Sequence, residues 1–259
     1  MMKAKIVRAT ALLLLFATLF TAGRAHALEG RKFEGPGFAS PEEAAAAYLI
    51  AFKNRDLEAM LAAFAVESLA ERYDLRETLS QLKAYALNYS MPLPSVDEFS
   101  IQFNAYVRAQ RLIERIFLQY MSLQAPAALN NFTPTFLSDP ETLEAFIDKL
   151  QKAILEFHFD DLAITARRQP EDLWKRYASE PNRRVLQRVA ARYSLAPEDI
   201  RDVVLIFDAL GQSYAFCAMA VRLDGRWYLE SLGGNIGALL GIQHAQGGIS
   251  PVEFLNLPQ

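Results

Sequence analysis

The sequence predicts an α+β protein, in which helices fill the N-terminal two-thirds and pack on a C-terminal antiparallel meander of three or more strands. Apolar residues recur at helical spacing up to residue 157, whereas three runs rich in Val, Ile, Phe and Tyr, separated by Gly-containing turns, follow residue 200. Of the 259 residues, 52% are apolar and 22% are charged. This composition excludes a disordered or collagen-like chain.

The first 27 residues have the organisation of an export signal. Lys3, Lys5 and Arg8 precede an apolar run over 9–22, and Ala25-His26-Ala27 then places small residues where a signal peptidase needs them. We therefore expect cleavage after Ala27 and a periplasmic or extracellular protein. A bilayer span needs about 20 apolar residues, so we expect no permanent membrane anchor after cleavage.

The expected mature chain is acidic and cannot form an internal disulfide. Cleavage would remove four basic residues and no acid, which changes the formal net charge from −3 to −7. That charge argues against nucleic acid as a partner. Cys217 is the single cysteine, and its apolar neighbours over 214–219 predict a buried, unreactive thiol.

After a loose leader over 28–39, we expect one domain over 40–259 with a helical insertion around 67–157. Ser40 and Glu43 match a capping box, which predicts a helix to about Phe52. Asn54 is expected to cap a second helix that reaches about Phe64. The short turn between the two helices predicts a bent pair.

Three further helices are predicted in the insertion. The first covers 67–87 and stops before Pro92. The second is opened by a capping box of Ser95 and Glu98 and ends before Pro126. The third begins near Ser138 and runs to residue 157, with apolar residues on one stripe.

The last third changes to strand patterns. It reads as a strand over 161–166, helices over 170–177 and 181–193, and strands over 200–210, 213–223 and 226–232. Asp224-Gly225 is typical of a type I′ hairpin turn, and Gly211-Gln212 is expected to form the other turn. The first two of the last three strands are apolar on both faces, so we expect them to be covered on both sides.

Two segments carry a family resemblance. The opening pair, from Ser40-Pro41-Glu42-Glu43-Ala44-Ala45 to Met60, and the ending Gly225-Arg226-Trp227-Tyr228-Leu229 resemble exported bacterial proteins with a nuclear transport factor two-like, or cystatin-like, cone. More narrowly, residues 64–68 and 231–242 resemble uncharacterised secreted bacterial proteins. The resemblance implies a bent helix pair in the mouth of a strongly curved antiparallel sheet. The helical pattern over 67–157 departs from it, so the chain is either a cone with a large helical insertion or similar only locally.

The resemblance leaves the function open, because cone proteins include isomerases, dehydratases and hydrolases as well as binding modules. The candidate for catalysis is His158, which would share one face of an extended chain with Glu156 and Asp160. An enzyme could pair His158 with Asp160 or Asp161. In the alternative reading, a helix ends here, Phe157 and Phe159 enter the core, and the polar residues are solvated.

No metal or other cofactor is expected. Only His158 and His244 remain after cleavage, and the sequence contains no HExxH motif or CxxC pair. We therefore assign no catalytic residue and no metal ligand.

The segment Gly233-Gly234-Asn235-Ile236-Gly237 is the candidate ligand site. Adjacent glycines after a strand can present amide N–H groups to an anion at a helix start. The alternative is a tight strand-to-helix connection, because no Lys or Ser/Thr follows at the spacing of a phosphate-binding loop. We take Gly233, Gly234, Asn235, Gly237 and His158 as candidate ligand-binding residues.

A basic segment lies between Arg167 and Arg192. It contains eight basic residues and three acids, and Arg184, Arg188 and Arg192 would line one helix face. Such a face could meet an anionic lipid or a cell-wall polymer, or it could be a solvated face paired with acidic neighbours.

Two functional hypotheses result. The first is an exported, non-catalytic module that binds a small apolar ligand or an envelope component. The alternative is a cone-type enzyme, an isomerase, dehydratase or hydrolase, that uses His158 with Asp160 or Asp161.

Overall fold

The α+β class is confirmed by the structure, a computed structural model that describes residues 32–82, 94–124, 160–173, 175–242 and 246–255, together with Leu155. The regular elements of these residues, in chain order, are α1 (Pro41–Asn54), α2 (Leu57–Ala62), α3 (Glu67–Glu71), α4 (Leu75–Leu82), α5 (Glu98–Gln124), β1 (Ala163–Arg168), α6 (Pro170–Leu173), α7 (Glu180–Arg192), β2 (Ile200–Ala209), β3 (Gln212–Leu223), β4 (Arg226–Leu232), α8 (Gly234–Leu239) and β5 (Ile249–Pro251).

The sheet is antiparallel throughout, in the order β1-β2-β3-β4. The predicted meander is confirmed in β2, β3 and β4. The short strand β5 was not predicted, and it pairs with the start of β3, so it follows β4 along the same edge. The predicted strand over 161–166 begins two residues later, at Ala163, and pairs with β2.

Two tight turns join the meander. Asp224 and Gly225 have φ angles of 49° and 79°, which fits the type I′ turn that this dipeptide predicts. The turn between β2 and β3 is formed by Leu210 and Gly211, with φ angles of 53° and 75°, one residue earlier than expected. In both turns glycine takes the second position, where positive φ costs it nothing.

Helices α1 and α5 fill one face of the sheet. The ring of Tyr48 stacks on Phe216 at 5.3 Å between centroids, and Phe52 stacks on Tyr120 at 4.1 Å. Gln119 is fully buried among these rings; it accepts a hydrogen bond from the hydroxyl of Tyr48 and donates one to the carbonyl of Gly247. This face is therefore packed with side chains that α1 and α5 supply.

Helices α7 and α8 cover the opposite face. Val204 of β2 and Cys217 of β3 pack there against Ile236 and Leu240, so the two central strands are covered on both sides, as predicted. Cys217 has no exposed surface, and burial raises the pKa of its thiol, which favours the unreactive protonated form.

The helix starts show where local sequence is misleading. Ser40 caps α1, because its hydroxyl accepts a hydrogen bond from the amide of Glu43. The expected cap Asn54 is wrong: it belongs to α1, and Asp56 caps α2 by accepting from the amide of Ala59 at 2.9 Å.

The capping box expected at Ser95 is also wrong. The hydroxyl of Ser95 donates instead to the carbonyl of Ala70, and Asp97 accepts from the amide of Ser100 at 2.7 Å. Helix α5 consequently begins at Glu98.

Several boundaries differ from the predicted ones. The helix expected over 67–87 is divided, because Asp74 caps a new helix by accepting from the amide of Glu77. The helix expected over 170–177 ends at Leu173. Residues 32–39, expected in a loose leader, are packed: the amides of Phe33 and Glu34 donate to the carboxylate of Glu67. The helix predicted from Ser138 to residue 157 lies outside the described residues, except for Leu155.

Candidate functional site around Asp202

The glycine-rich segment turns the chain directly from β4 into α8. Gly233 and Gly234 have φ angles of 87° and 57°. A Cβ atom on Gly234 would clash with Oδ1 of Asp202, so at this position glycine is required both for the backbone angle and for the close approach. This sharp turn brings the first amides of α8 against strand β2.

Asp202 of β2 occupies the start of α8. Its Oδ1 accepts a hydrogen bond from the amide of Asn235 at 3.0 Å, and its Oδ2 accepts one from the amide of Ile236 at 3.2 Å. The hydroxyl of Tyr177 donates to the same Oδ2 at 2.9 Å. The two amides that we considered for a phosphate are therefore bonded to a carboxylate of the chain itself.

The electrostatic setting of Asp202 is unusual. The residue is 6% exposed, and no Lys or Arg of the described part of the chain forms an ion pair with it. Burial raises the pKa of the carboxyl to about 7, although the hydrogen bonds from Tyr177 and the two amides act to lower it. Within the part of the chain that the structure describes, its charge is thus balanced by N–H and O–H dipoles alone.

A cleft of about 300 Å³ opens beside this carboxylate. Its lining combines the two partners Asp202 and Tyr177 with a second acid, one basic residue, one amide side chain and apolar side chains. The lining residues are Gln169, Pro170, Glu171, Tyr177, Leu186, Ile200, Arg201 and Asp202. The arrangement can receive a small group that carries positive charge on an apolar body.

Two further residues of the glycine segment, Gly237 and Asn235, lie where α8 packs on the sheet. A Cβ on Gly237 would lie 3.4 Å from the Cβ of Cys217, so α8 sits close on the sheet. The side-chain nitrogen of Asn235 is buried and has no hydrogen-bond partner among the residues that the structure describes. Whether Gly233, Gly234, Asn235 and Gly237 contact a ligand stays a prediction.

His158 lies outside the described residues, so its pairing with an acid also stays a prediction. Its two proposed partners, Asp160 and Asp161, are both exposed. Asp161 accepts a hydrogen bond from the amide of Leu210 at 2.7 Å, which fastens the start of β1 to the turn between β2 and β3. The hydrogen bond from Leu210 therefore gives the carboxylate of Asp161 a role in holding the fold together.

Sequence reasoning missed Asp202 and Tyr177. A signal for Asp202 was available, because the alternation of β2 places this acid on the covered face of the sheet, together with the apolar Val204 and Ile206. Tyr177 gave no such signal, since its contact depends on how the chain between α6 and α7 packs on β2.

Among the residues that the structure describes, no cluster of three or more His, Cys, Asp or Glu side chains could hold a metal ion. No helix in the described part of the chain is both long enough and apolar enough to span a membrane.

Comparison with known proteins gives one structural similarity. No protein-family model matches the sequence, and no curated protein is significantly similar to it. The structure resembles a cystatin-like protein from Ruminococcus gnavus with a TM-score of 0.43 and 17% sequence identity. The match covers 74% of this chain and 40% of that protein, so the matched part is less than half of the other chain's length.

Proposed function

We propose that the protein is an exported, non-catalytic binding module whose ligand is a small amine with an apolar body, held in the cleft beside Asp202. One observation carries the proposal: the charge of Asp202 is buried at the wall of an accessible cleft, without a cationic partner among the described residues. A buried carboxylate is costly unless it is paired. An ammonium group in the cleft would supply the missing charge.

The carboxylate has room for such a partner. An ionised carboxylate offers about four lone-pair sites, and Asp202 uses three for Tyr177, Asn235 and Ile236. Those three bonds fix its orientation, so it would meet a ligand without first being ordered.

The rest of the cleft suits an alkylamine. Pro170, Leu186 and Ile200 offer apolar surface, and Glu171 places a second acid at the same wall. An apolar body gains from contact with these three side chains, and the ammonium group is attracted by both carboxylates. The guanidinium of Arg201, which also lines the cleft, lies over the ring of Trp227, 5.8 Å from its centroid. The proposed ligand is therefore the small apolar molecule expected from the sequence, with one positive charge in addition.

The proposal treats Asp202 as a fixed binding group. Hydrogen bonds from Tyr177 and two helix amides hold its carboxylate in place, which is typical of a group that positions charge. This supports a binding role for Asp202, whereas the alternative enzyme would use His158, which lies outside the described residues, with Asp160 or Asp161.

The export part of the proposal rests on residues 1–27. We expect the protein recovered outside the cytoplasm to begin at Leu28, as determined by mass spectrometry. An intact Met1 on the exported protein would contradict cleavage after Ala27.

Calorimetry with n-butylammonium tests the ligand class, with n-butanol as an uncharged probe of equal length. At pH 8 we expect butylammonium to bind, and the Asp202→Asn variant to bind it roughly 10- to 100-fold more weakly, as expected for a lost bond to a charged group. Asp208→Asn is the matched control, because Asp208 is an exposed acid on the same strand. Equal binding of butanol, or unchanged binding by Asp202→Asn, would overturn the proposal.

A further inference from the structure

We propose that the protein docks on an anionic lipid surface through a patch formed by helices α4 and α7 and by Val96, which precedes α5. We define this arginine-apolar patch as Arg76, Leu79, Val96, Arg184, Arg188 and Arg192. It is separate from the cleft beside Asp202, so the inference stands independently of the proposed ligand.

The basic part of the patch follows α7. Arg184, Arg188 and Arg192 are four residues apart, which places them about 6 Å apart along one helix face. Arg184 and Arg188 are exposed, and Arg192 is half-buried where it donates to the side chain of Gln81 at 3.0 Å.

The acids near α7 neutralise only part of this charge. Glu180 accepts hydrogen bonds from both Arg183 and Arg184, and these guanidinium groups lower its pKa. Arg188 donates to the carbonyl of Arg184, and Arg192 to an amide oxygen, so the bonding partners of these two arginines are neutral. Positive charge therefore remains on the exposed face.

A cleft of about 570 Å³ separates α4 from α7 beside these arginines. Arg184 and Arg188 line it together with Pro181, Gln187 and Ala191. The acid in this cleft, Glu77, accepts a hydrogen bond from the side chain of Gln81 at 3.0 Å. A concave site with two guanidinium groups suits a phosphodiester, which arginine binds through paired hydrogen bonds.

The apolar part of the patch lies across α4. A second cleft there, of about 600 Å³, is lined by Arg76, Leu79 and Val96, and also by the acid Asp74, whose carboxylate caps α4. Glu77 of the same helix faces α7. Leu79 is 39% exposed and Val96 is 79% exposed. Exposed aliphatic side chains beside arginines are typical of surfaces that lie in the interface of an anionic membrane.

This combination favours a lipid surface over a soluble polymer. Arginines attract any polyanion, but Leu79 and Val96 gain free energy only where apolar material is available to cover them. The occupant that satisfies both parts of the patch is a bilayer that contains anionic phospholipid.

Vesicle co-sedimentation tests this inference with the chain as it is recovered from the producing cells. The vesicles contain phosphatidylcholine alone, or phosphatidylcholine with phosphatidylglycerol at 3:1. The measured quantity is the ratio of binding to anionic over neutral vesicles at fixed salt, so any retained N-terminal apolar segment contributes equally to every variant.

We expect the double variant Arg184→Gln/Arg188→Gln to lower this ratio by roughly 30-fold, the effect of two basic residues near an anionic surface. The matched control is Arg167→Gln/Arg168→Gln, which removes the same charge from exposed residues of β1. Val96→Ser should weaken binding a few-fold. Circular dichroism checks that each variant is folded.

Three outcomes would overturn the inference. Equal losses in the two double variants would show that net charge alone attracts the protein. Wild-type binding that does not depend on phosphatidylglycerol would remove the role of the arginines. Full binding by Val96→Ser, combined with complete competition by soluble polyglycerol phosphate, would identify the occupant as a polymer.

Discussion

The hydroxyl of Tyr177 donates a 2.9 Å hydrogen bond to the carboxylate of Asp202, and it thereby ties the chain before α7 to the centre of the sheet. The bond matters because the carboxylate is buried and its other hydrogen-bond donors among the described residues are two backbone amides. Each of these donors stabilises the ionised form, while burial opposes it.

Tyr177→Phe should therefore destabilise the protein by about 1–3 kcal/mol at pH 8, where the carboxylate is largely ionised. The loss should be smaller at pH 5, because a protonated carboxyl needs the phenol less. Urea unfolding at the two pH values measures both effects. Tyr73→Phe is the matched control, since the hydroxyl of Tyr73 is buried without a hydrogen-bond partner in the described part of the chain and its removal should cost little. Equal losses in the two variants would contradict the role of Tyr177.

The raised pKa of Asp202 predicts a specific pH dependence. The pKa of its carboxyl is about 7 in the folded protein and near its ordinary 3.8 when unfolded, so between these values the folded state binds more protons. The contribution of Asp202 to stability is then fully present below pH 3.8 and is lost as the pH rises through 7, by an amount on the order of a few kcal/mol.

Asp202→Asn removes this titration and keeps most of the shape. Its free energy of unfolding should fall less than that of the wild type between pH 5 and pH 8, as determined by urea titrations. The same fall in both proteins would mean that other groups control the pH dependence.

Gly234→Ala tests the close contact between α8 and β2. It should cost about 1–2 kcal/mol for the positive φ angle and a further loss for the clash with Asp202. Gly225→Ala is matched in φ but has nothing within 4 Å of the added methyl group, so it should cost only the first part. Thermal unfolding compares the two variants, and similar losses would argue against a tight contact at Gly234.

Gln119→Leu tests the buried hydrogen bonds on the other face of the sheet. The substitution leaves the hydroxyl of Tyr48 and the carbonyl of Gly247 without their partner, which should cost about 2–4 kcal/mol. Gln102→Leu lies on the same helix, where the side chain of Gln102 donates to the exposed Glu98, and it should cost less than about 0.5 kcal/mol. Chemical denaturation measures the free energy of unfolding of both variants. Equal stabilities would mean that the core tolerates the loss of these two hydrogen bonds.

The sequence predicts the sheet better than the helix boundaries. Asp224-Gly225 specifies its turn through the φ angles of two adjacent residues, so the hairpin follows from local chemistry. Strand β5 could not be found in this way, because its three residues are held by pairing with β3 and carry no alternation of their own. Helix starts were ambiguous where two capping residues lie close together, and tertiary contacts decided between them, as when Ser95 bonds to Ala70.

The candidate site was predicted in part. The glycine turn after β4 was visible as an unusual motif, and Asp202 could have been noticed because the alternation of β2 places it on the same face as the apolar Val204 and Ile206. The contact between the two could not be predicted. Asp202 and Asn235 come together because of the register of three strands and the angle at which α8 leaves the sheet, and neither is visible in the local sequence.

The central claim is that Asp202 holds a buried negative charge which a bound amine can neutralise. Carbon-13 NMR of the Asp202 carboxyl, followed from pH 4 to pH 9 with and without n-butylammonium, tests it most directly. We expect a pKa of about 7 in the free protein and a clearly lower pKa with the amine present. A free-protein pKa near 4, or a pKa that the amine does not change, would contradict the account.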